Sequence, residues 1–285
     1  MALAQRIVVT GGSGRLGRYV LDCLTGRAAV SVVDLRPPDR DVPFRHADIE
    51  DHAAMVQAFA GAEAVIHLAA IPNPRTAPAA VTFRVNVQGT WSVLQAAEDA
   101  GVRRVVVASS DAILGLSYNP PDWRPQYLPI DEDHPIRPTE FYSLSKEATE
   151  SICRSYAHRG KVEVLAIRPT HIVFPPEYPE LRTRGSDVQN YHFWTYVSPE
   201  DVADGFVRAV DAPYRGFDAF FISAANGLNE RPTLDLVRER WGSVPELRRP
   251  EIFARDPFAS LLDITRARET LGFAPASDWR HMTPS

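Results

Sequence analysis

Residues 10–17 read Thr10-Gly11-Gly12-Ser13-Gly14-Arg15-Leu16-Gly17, and this stretch decides the fold of the chain. It follows a short apolar run and fits the pattern G-x-G-x-x-G. In a turn from a strand into a helix, such glycines permit a tight bend, a close backbone approach to a pyrophosphate and close helix packing. The helix N-terminus then faces the anion with free N–H groups and the positive end of its dipole. The pattern predicts a dinucleotide site, with an empty glycine-rich turn as the alternative.

Asp34 ends the second apolar run, close to the separation of about 20 residues expected of an acid that binds the adenosine ribose. A carboxylate there accepts hydrogen bonds from the ribose hydroxyls and repels a 2′-phosphate. Arg15 and Arg36 are close in sequence and would soften that repulsion. The expected cofactor is therefore NAD rather than NADP. The alternative is that Asp34 is only a turn residue before Pro37.

Short runs rich in Val and Ile alternate with amphipathic stretches over the first two thirds of the chain. Runs without polar alternation are typical of strands buried on both faces, which indicates a parallel sheet covered by helices. Right-handed crossovers then give an α/β, doubly wound Rossmann sheet. The predicted strands are 7–10, 30–34, 44–47, 64–68, 104–109 and 162–167, and the predicted helices lie near 15–25, 51–60, 82–100, 141–159 and 199–210.

Two stretches break this alternation. The first, 116–139, contains six prolines, including Pro120 and Pro121, and is predicted to be a stiff loop that forms a wall of the active site. The second, 174–196, is also irregular. We therefore expect a dinucleotide-binding domain over 1–173 and 197–225, and a small C-terminal substrate lobe made of 174–196 and 226–285.

Composition narrows the kind of partner. The chain has 36 acidic and 31 basic residues and a formal charge of −5, which disfavours nucleic acid as a partner. No apolar run is long enough for a membrane span, no secretion signal is apparent, and the two cysteines predict no disulfide framework. The eight histidines show no metal-ligand spacing. We expect a cytoplasmic protein that acts on a small molecule, without a metal or membrane partner.

Tyr142 and Lys146 lie four residues apart in a predicted helix, so their side chains share one face. A free tyrosine has a pKa near 10 and is a weak base at neutral pH. A neighbouring ammonium favours the phenolate and is expected to lower the pKa of Tyr142. The pair would then take or return the proton of a substrate hydroxyl. A chance Tyr-x-x-x-Lys on an exposed helix is the alternative.

Taken in order, the motifs of the chain resemble those of the extended short-chain dehydrogenase/reductases, the NAD-dependent epimerase/dehydratase family. The resemblance covers almost the whole length and rests on order and spacing, since several motifs are weak alone. The matching segments are 10–17, Asp48-Ile49, His67-Leu68-Ala69-Ala70, Asn86 to Thr90, Ser109-Ser110, Tyr142 with Lys146, Arg168-Pro169, and Asp263 to Arg268 with Leu271 to Phe273.

The resemblance implies a set of roles. Ser110 would hydrogen-bond the reacting oxygen, Tyr142 would exchange its proton, and Lys146 would hold the nicotinamide ribose and tune Tyr142. A hydride would pass between the substrate carbon and the nicotinamide. The residues implied to bind the cofactor are Gly11, Gly14, Arg15, Leu16, Gly17, Asp34, Asp48, Ile49, Leu68, Ala69, Ala70, Asn86, Tyr142, Lys146 and Pro169.

Departures from the family pattern bear on the reaction. Sugar-nucleotide dehydratases carry Asp-Glu after the strand-end serine, whereas this chain has Asp111 and Ala112, so a dehydratase is disfavoured. The short region after Arg168-Pro169 favours a smaller substrate than a nucleotide sugar. The layout resembles that of uronate dehydrogenases, although Pro72 and Ala112 stand where those enzymes have polar substrate contacts. The candidate substrate residues are Asp111, Arg182, Arg184 and Trp194, with Tyr191 and His192 nearby.

Three functions follow from these patterns. The first is an NAD-dependent dehydrogenase or reductase acting on a carbinol carbon of a small sugar or sugar acid. The second is an NAD-dependent nucleotide-sugar epimerase, and the third is a non-catalytic NAD-binding protein, which an intact set of Ser110, Tyr142 and Lys146 argues against. A homodimer is expected because relatives associate through the two long helices, 82–100 and 141–159.

Overall fold

The computed structural model describes residues 5–118 and 123–282. Pro120 and Pro121 of the predicted active-site wall therefore lie outside the described residues. The strands are Arg6–Thr10 (β1), Ala29–Asp34 (β2), Phe44–His46 (β3), Ala64–His67 (β4), Arg104–Ala108 (β5), Tyr127–Leu128 (β6), Glu163–Pro169 (β7), Phe217–Ile222 (β8) and Glu246–Leu247 (β9). The α-helices are Gly17–Leu24 (α1), His52–Phe59 (α2), Ala79–Phe83 (α3), Gly89–Asp99 (α4), Phe141–His158 (α5), Leu181–Ser186 (α6), Pro199–Asp211 (α7), Thr233–Trp241 (α8), Pro250–Arg255 (α9) and Thr265–Leu271 (α10).

Seven parallel strands form the main sheet in the order β3-β2-β1-β4-β5-β7-β8. The order reverses between β1 and β4, and in a doubly wound sheet ligands bind at the carboxyl ends of the strands beside this reversal. The predicted α/β Rossmann class is confirmed, and each of the six predicted strands overlaps an observed one. The seventh, Phe217–Ile222, was not predicted from the sequence.

Both faces of the sheet are apolar, which explains why the strands lack polar alternation. Adjacent residues of β1 belong to different clusters: Val8 is in the same cluster as Met55 and Phe59 of α2, while Val9 is in the same cluster as Val20 of α1 and Phe273. Both valines are fully buried. Side chains from the C-terminal part of the chain therefore help to cover one face of the sheet.

The predicted helix 82–100 begins earlier and is not regular. It starts at Ala79, and Arg84–Gln88 forms a π-helical turn between α3 and α4. A π turn is a local widening that is frequent at functional sites. Here it contains Asn86, which is 1% exposed.

Arg104 of β5 joins the sheet to the end of α7. Its guanidinium donates to the carbonyl oxygens of Ala209, Val210, Ala212 and Tyr214 at 2.5–3.0 Å, and it also pairs with Glu163. The residue is 2% exposed. It therefore satisfies carbonyl groups that the helix leaves free at its C-terminus.

Replacement Arg104→Met should lower the free energy of unfolding by about 3 kcal/mol, because the carbonyls and Glu163 lose a buried partner. Arg103 is the matched control, since it pairs with the same Glu163 while 48% of its side chain is exposed. Arg103→Met should cost less than about 1 kcal/mol. Urea denaturation measures both values, and equal losses would contradict the assignment.

Candidate active site

The glycine-rich turn lies at the carboxyl end of β1 and has no room for side chains at two positions. Gly11 has a φ of +74°, and a Cβ atom there would lie 2.4 Å from the backbone nitrogen of Ala69. A Cβ atom on Gly17 would lie 2.2 Å from the carbonyl oxygen of Gly12. The bare backbone between β1 and α1 fits the approach of a pyrophosphate, as the sequence predicted. Gly14 and Leu16 lie in the same turn.

Asp34 is held beside this turn by backbone donors. Its Oδ2 accepts from the N–H of Ser13 at 3.0 Å, and its Oδ1 accepts from the N–H of Leu35 at 2.7 Å. Arg15 points elsewhere, since its guanidinium lies 3.9 Å from the ring centroid of Phe174. The expectation that Arg15 softens the charge of Asp34 is therefore wrong: closeness in sequence did not determine where this long side chain packs.

Asn86 ties the loop after β4 to the catalytic helix. Its Oδ1 accepts from the N–H of Ile71 at 2.7 Å, and its Nδ2 donates to the carbonyl of Ile71 and to Ser145 Oγ. The N–H of Leu68 donates to the carbonyl of Thr10 at the end of β1, at 2.9 Å. The loop that contains Ala69 and Ala70 is thus fixed against both the glycine turn and α5.

Two further predicted cofactor residues follow β3. Asp48 Oδ1 accepts from the N–H of Glu50 at 3.0 Å. Ile49 is 6% exposed, and its Cδ1 lies 2.5 Å from where a Cβ atom on Gly89 would stand. Ile49 therefore packs directly on the backbone of α4. Pro169 is buried at the carboxyl end of β7, opposite Ile222 of β8.

His67 is a buried residue of this region to which the sequence assigned no role of its own. Its Nδ1 lies 2.7 Å from Thr10 Oγ1 and its Nε2 lies 3.1 Å from Thr90 Oγ1. Because the Thr90 hydroxyl donates to the carbonyl of Asn86, it accepts from Nε2–H of His67. Burial, with the charge of Lys146, lowers the pKa of His67 to about 3. The neutral ring links β1, β4 and α4.

Tyr142 and Lys146 lie on one face of α5, as predicted. Glu140 caps the helix and accepts from the N–H of Tyr142 at 2.6 Å. Lys146 Nζ lies 5.8 Å from the ring centroid of Tyr142 and donates to the carbonyl of Ala108 at 2.8 Å. Tyr142 is 6% exposed and Lys146 3%. The cap and the carbonyl together fix the pair at the carboxyl end of β5.

The acidity of this pair differs from the sequence expectation. Burial raises the pKa of Tyr142 above its ordinary value, and the hydrogen bond with Ser110 opposes this effect. Burial lowers the pKa of Lys146 to about 8. The predicted lowering of the Tyr142 pKa is therefore wrong, because removal from water raises this pKa and the nearby charges of Asp111 and Glu140 act in the same direction.

Ser110 stands next to Tyr142, and its hydroxyl is also shared with Asp111. Ser110 Oγ accepts from the N–H of Ala112 at 3.1 Å and donates to Asp111 Oδ1 at 3.3 Å. Burial raises the pKa of Asp111 to about 6, although hydrogen bonds from Thr170 and Ser110 act in the opposite direction. The group formed by Ser110, Asp111, Tyr142 and Lys146, here named the pocket, thus has a second titratable carboxyl or phenol within one residue of the predicted catalytic serine.

A buried ion pair between β7 and α5 lies next to these residues. Arg168 of β7 binds both carboxylate oxygens of Glu150 at 2.8 and 2.7 Å. Ser109 Oγ donates to the same carboxylate at 2.6 Å. Glu150 follows Lys146 by one helical turn, so β5, β7 and α5 meet at one carboxylate beside the site.

The four predicted substrate residues do not share one location. Asp111 lies in the pocket, and Arg184 reaches His171, the residue after Thr170, at 3.2 Å. Arg182 pairs instead with Glu230, with 72% of its side chain exposed. Trp194 is 1% exposed in the core and donates to the carbonyl of Asp187. The placement of Arg182 and Trp194 gives no support to their predicted substrate contacts.

An aromatic row near the pocket was not resolved from the sequence. His192 stacks on His171 with centroids 4.0 Å apart, and Tyr191 lies 3.9 Å from His192. Tyr118 is 6.0 Å from Tyr191, and Arg75 lies over both tyrosine rings. These residues come from four separate loops, so no spacing in the sequence could have shown that they meet.

The described residues contain neither a metal-binding cluster nor a membrane-spanning helix. Within residues 5–118 and 123–282, no cluster of three or more His, Cys, Asp or Glu side chains could hold a metal ion. In the same part of the chain, no helix has the length and apolar character that crossing a membrane requires.

Sequence comparison defines the family. Residues 7–220 match the family model described as NAD dependent epimerase/dehydratase family. The chain belongs to this family, which is the extended group of short-chain dehydrogenases/reductases predicted from the motifs. It is 34% identical over 213 residues to the L-arabinose 1-dehydrogenase (NAD(P)(+)) of Haloferax volcanii, covering 73% of this chain and 83% of the relative. It is 29% identical to the UDP-glucose 4-epimerase of Mycolicibacterium smegmatis, covering 95% and 94%.

Solved structures agree with this assignment. A short-chain dehydrogenase/reductase superfamily protein from Agrobacterium tumefaciens with bound NAD is similar with a TM-score of 0.73 and 27% identity, covering 98% of this chain and 94% of that chain. A mutated uronate dehydrogenase is similar with a TM-score of 0.63 and 25% identity, covering 89% and 86%. The predicted resemblance to the extended family, with uronate dehydrogenases among the similar proteins, is confirmed.

The ionisation of Asp111 should make the free energy of unfolding depend on pH. Because burial raises the pKa of this carboxyl from 3.8 to about 6, the folded state keeps a proton that the unfolded chain releases between those values. The free energy of unfolding of the wild type should therefore fall, relative to Asp111→Asn, as the pH rises from about 4 to about 6. Urea denaturation across this range measures the difference. Parallel stability curves for the two proteins would show that Asp111 titrates normally.

Proposed function

We propose that this chain is an NAD-dependent oxidoreductase that oxidises or reduces a carbinol carbon of a small polyhydroxylated substrate, a sugar or sugar acid. The observation that carries the proposal is the meeting of Ser110, Tyr142 and Lys146 beside the glycine-rich turn. Lys146 Nζ is 5.8 Å from the Tyr142 ring centroid, and Ser110 hydrogen-bonds with Tyr142. The dehydrogenase and uronate dehydrogenase relatives support this substrate class.

The cofactor would be held by the residues that line the turn and the neighbouring strand ends. The bare turn from Gly11 to Gly17 would hold the pyrophosphate, and Asp34 would hold the adenosine ribose. Asp48, Ile49 and the backbone of 68–70 would enclose the adenine side and the middle of the dinucleotide. Because no arginine pairs with Asp34 among the described residues, its carboxylate favours NAD over NADP.

The chain's own residues would handle the substrate proton. Ser110 would donate a hydrogen bond to the reacting oxygen, and Tyr142 would give a proton to it or take one from it. Lys146 would hold the nicotinamide ribose and stabilise the tyrosine when it is ionised. When NAD is bound, its nicotinamide supplies the redox chemistry by accepting or giving a hydride.

The substrate lobe is proposed to comprise 174–196 and 226–285, with the dinucleotide domain over 1–173 and 197–225. The candidate substrate contacts are Arg184 of this lobe and Asp111 of the dinucleotide domain, which lies beside Ser110. Ala112, at the position where dehydratases carry glutamate, is 2% exposed and cannot act as an acid or base. Elimination of water is therefore not proposed.

The second candidate function is an NAD-dependent nucleotide-sugar epimerase. The near full-length similarity to a UDP-glucose 4-epimerase favours it. An epimerase returns its cofactor unchanged in each cycle, whereas a dehydrogenase accumulates NADH. L-arabinose, D-glucuronate, D-glucose 6-phosphate and UDP-glucose, each assayed with NAD and with NADP, separate the two. Turnover of UDP-glucose without net NADH would replace the first proposal by the second.

Tyr142→Phe should lower kcat by a factor of about 10² to 10⁴, because the variant lacks the proton-carrying hydroxyl. Binding of NADH, followed by its fluorescence, should change less than about twofold. Tyr156→Phe is the matched control on the same helix, since its hydroxyl donates to Gln95 at 2.9 Å and the residue lies ten positions beyond Lys146. Unchanged activity in Tyr142→Phe would contradict the proposed role of Tyr142 and would favour a non-catalytic NAD-binding function.

We propose that the protein works in the cytoplasm as a homodimer through the helix pair that includes the π turn and α5. Phe83, Trp91 and Leu144 are large apolar residues of these helices that are 42%, 47% and 46% exposed. Phe83 and Trp91 line one groove together with Val87 and Ile152. Its apolar lining suits a second copy of the same face.

Trp91→Asp should convert the dimer to a monomer, because it places a charge in the centre of an apolar interface. Leu35→Asp is the control, since Leu35 is 57% exposed on the loop after β2. Sedimentation velocity measures both variants. A wild-type protein that sediments as a monomer would refute the proposed dimer.

A further inference from the structure

Glu177 lies in the 3₁₀ turn Pro175–Glu180, between the glycine-rich turn and the substrate side of the pocket. Its Oε1 is 3.6 Å from Arg15 Nη2. Its Oε2 is 3.0 Å from His171 Nε2 and 2.8 Å from Arg184 Nη1. Side-chain hydrogen bonds from His171 and Arg184 outweigh its burial and lower the pKa of Glu177 to about 2. Glu177 is therefore ionised at neutral pH, and its carboxylate contacts Arg15 through one oxygen and His171 and Arg184 through the other.

Arg15 is the cofactor end of this arrangement. It belongs to the turn that is proposed to hold a pyrophosphate, and its guanidinium stacks 3.9 Å from the centroid of Phe174. Its side chain is 66% exposed, so a ligand can reach it. A pyrophosphate in the turn and the carboxylate of Glu177 would attract the same guanidinium. The strength of the contact between Arg15 and Glu177 therefore depends on what occupies the turn.

His171 is the substrate end. The preceding residue, Thr170, hydrogen-bonds Asp111 and lies 2.5 Å from Thr195 through its hydroxyl. The ring of His171 stacks on His192 with centroids 4.0 Å apart. A movement of His171 would therefore affect Asp111 through Thr170, and it would affect the segment 187–196 through His192.

The hydrogen bonding at His171 has two alternative states. Its Nε2 lies within hydrogen-bond distance of Glu177 Oε2 and also of Arg184 Nη1, at 3.2 Å. One ring nitrogen can donate to the carboxylate or accept from the guanidinium, but it cannot do both. Whether Arg15 binds Glu177 can therefore determine which of these two hydrogen bonds His171 forms.

We propose that Glu177 is a positioning residue that couples occupation of the glycine-rich turn by a dinucleotide to ordering of the segment 187–196, whose His192 stacks on His171. The inference rests on the proposed function, because it requires a dinucleotide in the turn. When an anion draws Arg15 away, the carboxylate binds His171 and Arg184 more fully, and His171 holds His192 in place. Binding of the dinucleotide then precedes and favours binding of the substrate.

A purely structural role is the rival explanation, since Glu177 also accepts from the N–H of Phe174 at 3.3 Å. Glu180 provides a matched control on the same turn. It pairs with Arg184 at 2.6 Å, and its side chain is 63% exposed. Unlike Glu177, it forms no ion pair with Arg15 or His171 among the described residues. Glu180→Gln therefore removes a neighbouring ion pair and leaves the proposed connection intact.

The test is amide hydrogen exchange with and without ADP-ribose, which contains the pyrophosphate and lacks the nicotinamide. In the wild type and in Glu180→Gln, saturating ADP-ribose should slow exchange in 187–196 at least about threefold. Glu177→Gln should still bind ADP-ribose, and this protection should disappear. Arg15→Met should exchange slowly in 187–196 even without ADP-ribose, because Glu177 no longer shares its carboxylate with Arg15, and ADP-ribose should then add no further slowing. Because Arg15 is exposed, that variant tests the connection without threatening the fold.

The outcomes separate the two proposals. Undiminished slowing of exchange in 187–196 by ADP-ribose in both Glu177→Gln and Arg15→Met would overturn the coupling and leave the proposed function intact. If Glu177→Gln does not fold, the result for Arg15→Met decides. A wild-type chain that does not bind ADP-ribose at all would remove the proposed NAD function itself, and the coupling with it.

Discussion

The ion pair between Glu150 and Arg168 is the constraint on which the site depends. Both side chains are almost fully buried, and the two hydrogen bonds of 2.8 and 2.7 Å leave neither charge without a partner. Removing one member of such a pair leaves an uncompensated buried charge. Because Ser109 donates to the same carboxylate, Glu150 fastens α5 both to β7 and to the residue that follows β5.

The pocket favours the uncharged form of several of its titratable groups. Burial raises the pKa values of Tyr142 and Asp111 and lowers those of Lys146 and His67. These shifts have one cause, the removal of the groups from water into a region with few compensating charges. The phenol of Tyr142 in particular is held in its protonated form by burial.

The sequence predicted the features that depend on local patterns. The glycine turn, the strand runs and the four-residue spacing of Tyr142 and Lys146 are set within one element, and they appear in the structure where expected. What the sequence missed depends on contacts between distant segments. The direction of Arg15 is determined by Phe174, the burial of Trp194 by the lobe core, and the pKa of Tyr142 by everything packed around it.

The π turn Arg84–Gln88 fixes the number of residues in the helical segment that runs from α3 to α4. The carbonyl of Asn86 in this turn accepts hydroxyl hydrogen bonds from both Thr90 and Thr149. Loss of one residue here would restore regular α-helical winding and rotate the preceding turn by about 100°. Phe83 would then leave the face it shares with Trp91, or Asn86 would leave Ile71. Single-residue insertions and deletions should therefore be excluded from this stretch of helix, even where its side chains are exposed to solvent.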